Sequence, residues 1–188
     1  MSYSVINSEI YLRHTIVPIR SFDQVKLNFK HPLVICDIDD TLLYHNRVKR
    51  TMNNVHYSGY CSLFSSSIGP SMVYEDEEFI RPTDFEGFRR LEKRVCELRG
   101  RIIFLTARSV RTSFITKDDF SRIGLDASKY EIHYTGNTIS KGQYIKNYID
   151  CRGSSEIIFV DDLYENHLSV FQLFPMSLFY LFDSNRLS

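Results

Sequence analysis

The chain has 188 residues, of which 43% are hydrophobic and 24% charged, with 23 basic and 23 acidic side chains. That length suits one domain with a core of its own and leaves little room for two. The charge balance argues against a partner gripped through a nucleic-acid backbone or an anionic membrane, since both need an excess of Lys and Arg.

In chain order, residues 1–30 form an N-terminal extension, with a helix expected around Ser21–Phe29. Five runs are continuously apolar or nearly so: Leu33–Cys36, Arg101–Leu105, Tyr130–Tyr134, Glu156–Val160 and Ser177–Phe182. Such runs read as strands covered on both faces. Helical patterns fill the intervals. The first begins at Thr83, where Thr83 and Glu86 form a capping-box pair; Phe85, Phe88, Leu91, Val95 and Leu98 mark one face, and Gly100 supplies the stop. A second runs from about Ser109 to Ile123 and closes on Gly124. A third starts at Ser140, with Gln143 as capping-box partner, and a fourth spans roughly Tyr164 to Phe174. Strand alternating with helix implies right-handed crossovers and a parallel five-stranded sheet flanked by helices, a Rossmann-like α/β fold. The whole chain is then one domain, with its core at about 31–43 and 83–183 and an insertion at about 44–82. That insertion is rich in Ser, Tyr and Asn and carries the acidic run Glu75-Asp76-Glu77-Glu78; a loop of such length in a compact domain is usually functional or mobile.

The cysteines, Cys36, Cys61, Cys96 and Cys151, form no CxxC pair and no zinc-ligand spacing. They read as reduced thiols in a cytosol-like compartment, with Cys96 on the buried side of its helix. The first thirty residues show no basic region followed by an apolar one, so no Sec-type signal is visible. The apolar stretch Met176 to Phe182 is far too short to span a bilayer. A soluble protein without membrane insertion is expected.

The polar residues fall at the strand ends. The first core strand runs into Asp37-Ile38-Asp39-Asp40-Thr41. The second ends in Thr106-Ala107-Arg108, the third helix opens with Lys141-Gly142, and the fourth strand ends in Asp161-Asp162. In an open parallel sheet these ends face one crevice, the usual ligand site. Several carboxylates converging there repel one another unless a cation compensates. Mg²⁺, a hard ion that prefers oxygen ligands, fits such a set and would let an anionic carboxylate approach a phosphate. Lysine and threonine donors can then neutralise charge on the phosphoryl oxygens. A carboxylate nucleophile and a second carboxylate to protonate the leaving oxygen complete a phosphoryl-transfer chemistry.

The ordered set resembles the haloacid dehalogenase (HAD) superfamily phosphatases of the DxDxT type. It consists of Val34-Ile35-Cys36-Asp37-Ile38-Asp39-Asp40-Thr41, Ile102-Ile103-Phe104-Leu105-Thr106, Lys141-Gly142, and Ile157-Ile158-Phe159-Val160-Asp161-Asp162. The likeness covers about Leu33 to Phe182 and leaves residues 1–30 and 44–82 outside. It implies that Asp37 is the nucleophile and a Mg²⁺ ligand. It implies that Asp39 is the general acid and then the general base, with its backbone carbonyl on the metal. Thr106 and Lys141 would hold phosphoryl oxygens, Asp161 would be the other direct metal ligand, and Asp162 would lie in the outer shell. Aspartate at position 39 separates the chain from the dehalogenases. Asp40 reads as a turn residue, and Arg108 as a surface ion pair or a contact to substrate. His45 and His167 read as ordinary polar residues.

In that superfamily, cap domains inserted after the first or second motif select small substrates. Here the insertion is short for a full cap, and no large insertion lies between Thr106 and Lys141. The resemblance therefore implies an accessible site of the kind associated with macromolecular phosphoesters. It extends to HAD-fold proteins of intracellular bacteria, some of them injected effectors that act on host phosphotyrosine. The expected partner is a phosphorylated protein, phosphotyrosine especially, hydrolysed by a monomer and reached, for an effector, without a Sec signal. Tyr44, Tyr57, Tyr60 and Tyr74 of the insertion would flank an aromatic leaving group or simply pack a small subdomain. The alternatives are a small-molecule or nucleotide phosphatase of the same mechanism and, from another class, a non-catalytic phosphate-recognising module. A further C-terminal domain in a longer parent protein is compatible with a last strand that ends close to Ser188.

Overall fold

A computed structural model describes residues 15–45 and 80–184. Eight strands occur among them: β1 (Ile16–Ile19), β2 (Pro32–Cys36), β3 (Leu43–His45), β4 (Ile80–Pro82), β5 (Arg101–Thr106), β6 (Glu131–Tyr134), β7 (Glu156–Asp161) and β8 (Leu178–Phe182). Four α-helices accompany them: α1 (Phe85–Glu97), α2 (Ser113–Arg122), α3 (Lys141–Tyr148) and α4 (Tyr164–Phe171). Six strands form one sheet in the order β1-β8-β7-β2-β5-β6, and every neighbouring pair in it is parallel. The expected five-stranded sheet thus has a sixth member. β1 is four residues long, has Val17 and Pro18 exposed, and pairs with β8 alone, Pro18 standing opposite Leu181. Proline cannot donate to a ladder and is tolerated on a sheet edge, so Pro18 argues against a central strand although Ile16–Ile19 is apolar.

The sheet separates two cores. On β2, Val34 and Cys36 join a cluster with Phe22, Phe88, Phe104 and Phe120, while Leu33 and Ile35 join one with Ile145, Phe159, Val170 and Phe179. Side chains alternate across a strand, so a strand covered on both faces must be apolar at every position. This is why Pro32–Cys36 is buried throughout. Helix α1 supplies Phe88, Leu91 and Val95 to the first core, as its periodicity predicts.

The helix ends differ from expectation in instructive ways. Asp84, not Thr83, caps α1, its side chain accepting from the Gly87 amide at 3.0 Å. The Thr83 hydroxyl is drawn instead to the Thr41 carbonyl, 2.5 Å away. At the other end Arg99 takes the left-handed conformation (φ 56°), with Arg99 N bonded to Cys96 O and Gly100 N to Val95 O. Gly100 serves another purpose: a Cβ there would stand 2.4 Å from the Pro32 carbonyl oxygen. Cys96, expected on the buried side, is exposed. The expected helix around Ser21–Phe29 is only a 3₁₀ turn, Phe22–Gln24, closed by a Ser21–Gln24 capping box. Beyond it the chain is held by Glu156, whose Oε1 accepts from Asn28 N and Phe29 N. The second helical pattern opens with a 3₁₀ turn, Val110–Thr112, before α2 begins, and α2 ends on Gly124 at φ 80° as expected. Ser140 caps α3, but Gln143 does not reach back; its amide nitrogen donates to Asn147.

Strands β3 and β4 form an antiparallel pair at the base of the insertion, with Arg81 lying over the Tyr44 ring at 4.9 Å. Cys61, Tyr57, Tyr60, Tyr74, the acidic run at 75–78 and the side chain of His45 lie outside the described residues. No helix of the described residues is long and apolar enough to cross a membrane.

Candidate functional site

In the sheet order, β2 stands between β5 and β7, and the chain turns from one half of the sheet to the other there. At such a switch point the loops after neighbouring strands diverge and open a crevice at the carboxyl ends. Asp37 follows β2 directly, Thr106 ends β5, and Asp161 ends β7. The Asp37 amide donates to Val160 O at 2.9 Å, tying the two acidic strand ends together.

One oxygen each of Asp37, Asp161 and Asp162 lie within 4.8 Å of one another. Asp37 is 5% exposed and Asp161 fully buried. Lys141, 3% exposed at the start of α3, donates to Asp37 Oδ1 and, at 2.7 Å, to Asp161 Oδ2. Three carboxylates against one ammonium would carry an excess of two negative charges if all three were ionised. Burial drives the Asp37 carboxyl well above the usual carboxylate range, and the charges of Asp161, Asp39 and Asp162 add to this while Lys141 opposes it. Burial, with Asp161 and Asp40 nearby, likewise pushes Asp162 up to about 7. For Lys141 burial works against the charge, but Asp37 and Asp161 hold its ammonium firmly protonated. Oxygen donors of this hardness, number and uncompensated charge fit a divalent cation such as Mg²⁺. Neighbouring Cys36 is a poor nucleophile: it is buried, its thiol is raised by that burial, and it donates to the Asp37 carbonyl.

Asp161 is fixed from several sides. Its Oδ1 accepts from Leu163 N and from Asn166 Nδ2, both at 2.9 Å, and its backbone carbonyl accepts from His167 Nε2 at 3.0 Å. His167 is fully buried, with its ring edge-on to Phe159, and burial lowers its pKa, so the neutral ring carries its proton on Nε2. Its Nδ1 has no hydrogen-bond partner among the described residues. Asn166 and His167 thus hold a side chain and a main chain that sequence assigns to Asp161 alone. The sequence signal for them, two polar residues one helical turn past an acidic strand end, is too common to single them out.

Asp39 is brought to the same crevice but is not one of the three converging carboxylates. It accepts from Thr106 Oγ1 at 3.3 Å and from Arg108 through Nε and Nη2, the shortest contact being 2.7 Å. Arg108 is anchored in turn by Asp119 at 2.6 Å and Thr116 at 3.1 Å. Of the two readings of Arg108, the ion pair holds, yet it is 12% exposed and belongs to the interior rather than the surface. Asp119 and Thr116, on α2, had no sequence signal, since each looks like a solvated helix residue. Asp40 takes left-handed backbone (φ 57°) in a turn closed by Asp40 N to Leu43 O, as a turn residue should. Thr41 is buried and its hydroxyl lies 3.4 Å from Asp162 Oδ1. Gly142 is required by packing: a Cβ there would stand 2.0 Å from Ser169 O on α4, and its amide donates to Ser169 Oγ.

Fold and site together define an α/β protein with a Rossmann-like parallel sheet and a buried carboxylate cluster at its switch point. Compared with the models of known protein families and with curated proteins, the chain matches none.

Proposed function

We propose that the chain is a Mg²⁺-dependent phosphomonoester hydrolase of the HAD phosphatase type, working through an aspartyl-phosphate on Asp37. The observation that carries this reading is the convergence of Asp37, Asp161, Asp162 and Lys141 at the ends of β2 and β7, with Asp39 and Thr106 on the β5 side. Asp37, Asp161 and the Asp39 carbonyl would hold the ion, with Asp162, whose carboxylate lies within 4.8 Å of those of Asp37 and Asp161, in the outer shell, as the resemblance implies. The bound ion would supply positive charge that offsets the repulsion between carboxylate and phosphate.

An Asp37 oxygen attacks phosphorus, the bond from phosphorus to the ester oxygen breaks, and that oxygen takes a proton from Asp39. Lys141 opposes the upward shift that burial imposes on Asp37 and, with the Thr106 hydroxyl, would receive charge on the phosphoryl oxygens. Asp39 then takes a proton from water, whose oxygen attacks phosphorus, releasing inorganic phosphate and the Asp37 carboxylate. Arg108, gripping Asp39 while itself held by Asp119, orients the carboxylate that moves the protons.

The test is hydrolysis of p-nitrophenyl phosphate with Mg²⁺, with EDTA, and with Asp37→Asn. Activity should fall by more than roughly a thousandfold on removing either the ion or the nucleophile; activity that survives both sinks the mechanism. Two substrate classes compete. The short path from β5 to α3, made of α2 and β6 with no large insertion, supports a phosphoprotein substrate, phosphotyrosine above all. A polar cleft beside Lys141 favours a small phosphomonoester.

A further inference from the structure

The crevice has two unlike sides. The carboxylates stand on one. On the other, sharing Lys141 with them, lies a cleft of about 310 Å³, near the small end of ligand pockets, which run from about 300 to 1,000 Å³. Six of its eight lining residues are polar: Thr135, Asn137, Thr138, Ser140, Lys141 and Asn166; the other two are aliphatic. Among the described residues no aromatic ring lines it, so that part of its wall offers no stacking surface to a phenol or a nucleobase. Among the described residues no carboxylate lines it either, and the one charge there, the Lys141 ammonium, is already shared by Asp37 and Asp161.

What the cleft does offer is hydrogen bonding in both senses. The turn after β6 places Gly136 and Asn137 in left-handed backbone, at φ 60° and 57°. The exposed Asn137 carboxamide, a donor and an acceptor together, makes no side-chain hydrogen bond among the described residues. Thr135 Oγ1 accepts from Asn137 N and Ser140 Oγ accepts from Gln143 N, which leaves each hydroxyl proton without a protein acceptor there. The Thr138 hydroxyl donates to Thr135 O and keeps its lone pairs. Neutral groups that both give and accept match neighbouring hydroxyls on a ligand, which do the same.

We infer that this cleft receives the polyhydroxylated leaving group of a small phosphomonoester, a sugar or polyol phosphate. Its place in catalysis rests on the phosphatase reading, whereas the binding itself does not. In hydrolysis the bond between phosphorus and the sugar oxygen breaks, and that oxygen departs as the hydroxyl of the free sugar.

The experiment measures binding of glucose 6-phosphate, phenyl phosphate, phosphotyrosine and inorganic phosphate by calorimetry with Mg²⁺. It uses the Asp37→Asn chain, alone and with Asn137→Gly or Thr138→Phe. The ratios of kcat/KM for the same three esters are read in parallel on the otherwise native chain. Asn137→Gly keeps the left-handed turn and removes only the carboxamide; Thr138→Phe fills the cleft from an exposed position. Glucose 6-phosphate should bind best, and its preference over phenyl phosphate should drop about fivefold with Asn137→Gly, the loss expected for one hydrogen bond, and further with Thr138→Phe. Equal or tighter binding of phenyl phosphate or phosphotyrosine, or a preference untouched by both substitutions, overturns the assignment. Hydrolysis of p-nitrophenyl phosphate without any sugar preference would remove the cleft's role and leave the phosphatase. A sugar preference with no hydrolysis of any ester would do the reverse.

Discussion

Two buried charge clusters share the crevice, and they are balanced differently. Around Arg108 one guanidinium spans Asp39 and Asp119, and Thr116 takes a further donor, so the protein itself supplies the partners. Around Lys141 one ammonium faces Asp37 and Asp161 with Asp162 close by, and the carboxyls of Asp37 and Asp162 are displaced upward as a result. Burying like charges without compensation is unfavourable, so a cluster left short of positive charge is either destabilising or awaiting a cation. The first cluster is balanced by its own guanidinium; the second is the one we propose to hold a cation.

The sharpest way to break this comparison is chemical. Asp39→Asn should lower kcat by roughly 10²–10⁴-fold, the usual worth of a positioned proton donor. The loss should be greatest for alkyl phosphates, whose leaving groups need the proton most. A uniform loss across leaving groups, read from a substrate series, would argue that Asp39 does not move protons.

Stability separates the clusters next. Arg108→Met leaves Asp119, 2% exposed, without its guanidinium, which should lower unfolding free energy by about 3–5 kcal/mol in urea denaturation. Mg²⁺ should not restore it. Lys141→Met should also destabilise the metal-free protein, yet there Mg²⁺ should recover much of the loss, because the ion takes over the missing positive charge. Rescue of both variants, or of neither, would erase the distinction between the clusters.

A pH series probes the same point with a milder effect. The folded carboxyls of Asp37 and Asp162 lie above their unfolded value of 3.8, so the folded state binds more protons than the unfolded one. Stability from these groups is present at low pH and is lost as pH rises from about 4 through the Asp162 value of about 7. His167 acts in the opposite sense: its folded value lies below 6.5, so stability falls as pH drops through that range. The difference in melting temperature with and without Mg²⁺ cancels the histidine and isolates the carboxylates. That difference should be larger at pH 7.5 than at pH 5, and at a hundredfold excess over Kd should correspond to about 2.7 kcal/mol. The smallest effect is local. Arg99→Gly relieves a left-handed residue at the end of α1 and should stabilise by about 1 kcal/mol, detectable as a higher melting temperature with activity unchanged.

Much of the sheet was legible because a strand covered on both faces is apolar or nearly so, which holds for β2, β5, β7 and β8; β6, at the sheet edge with Glu131 exposed, gave a weaker run. β1 was not legible, since an edge strand with Pro18 needs only one partner and one covered face. The acidic strand ends were equally plain, for a run such as Asp37-Ile38-Asp39-Asp40 directly after a buried strand has few structural uses. Their supports were invisible. Asn166, His167, Asp119 and Thr116 each sit where a helix usually shows a solvated polar residue, and only the packing of α2 and α4 against the sheet turns them inward. Helix ends misled for a similar reason. Thr83 has the right chemistry to cap α1, but the neighbouring Thr41 carbonyl takes its hydroxyl and leaves the cap to Asp84.

The amino-acid sequence by itself therefore determined an α/β chain with a parallel sheet and placed Asp37, Asp39, Thr106, Lys141, Asp161 and Asp162 at its strand and helix ends. Those choices are local: periodicity sets the element, and residue type sets the chemistry at its boundary. Only the tertiary structure decided how the charges pair. Arg108 went to Asp39 and Asp119, Lys141 went to Asp37 and Asp161, and Gly142 became the point where α3 meets α4. Pairing between residues as much as 104 positions apart depends on which strands the sheet makes neighbours, and no local pattern carries that information.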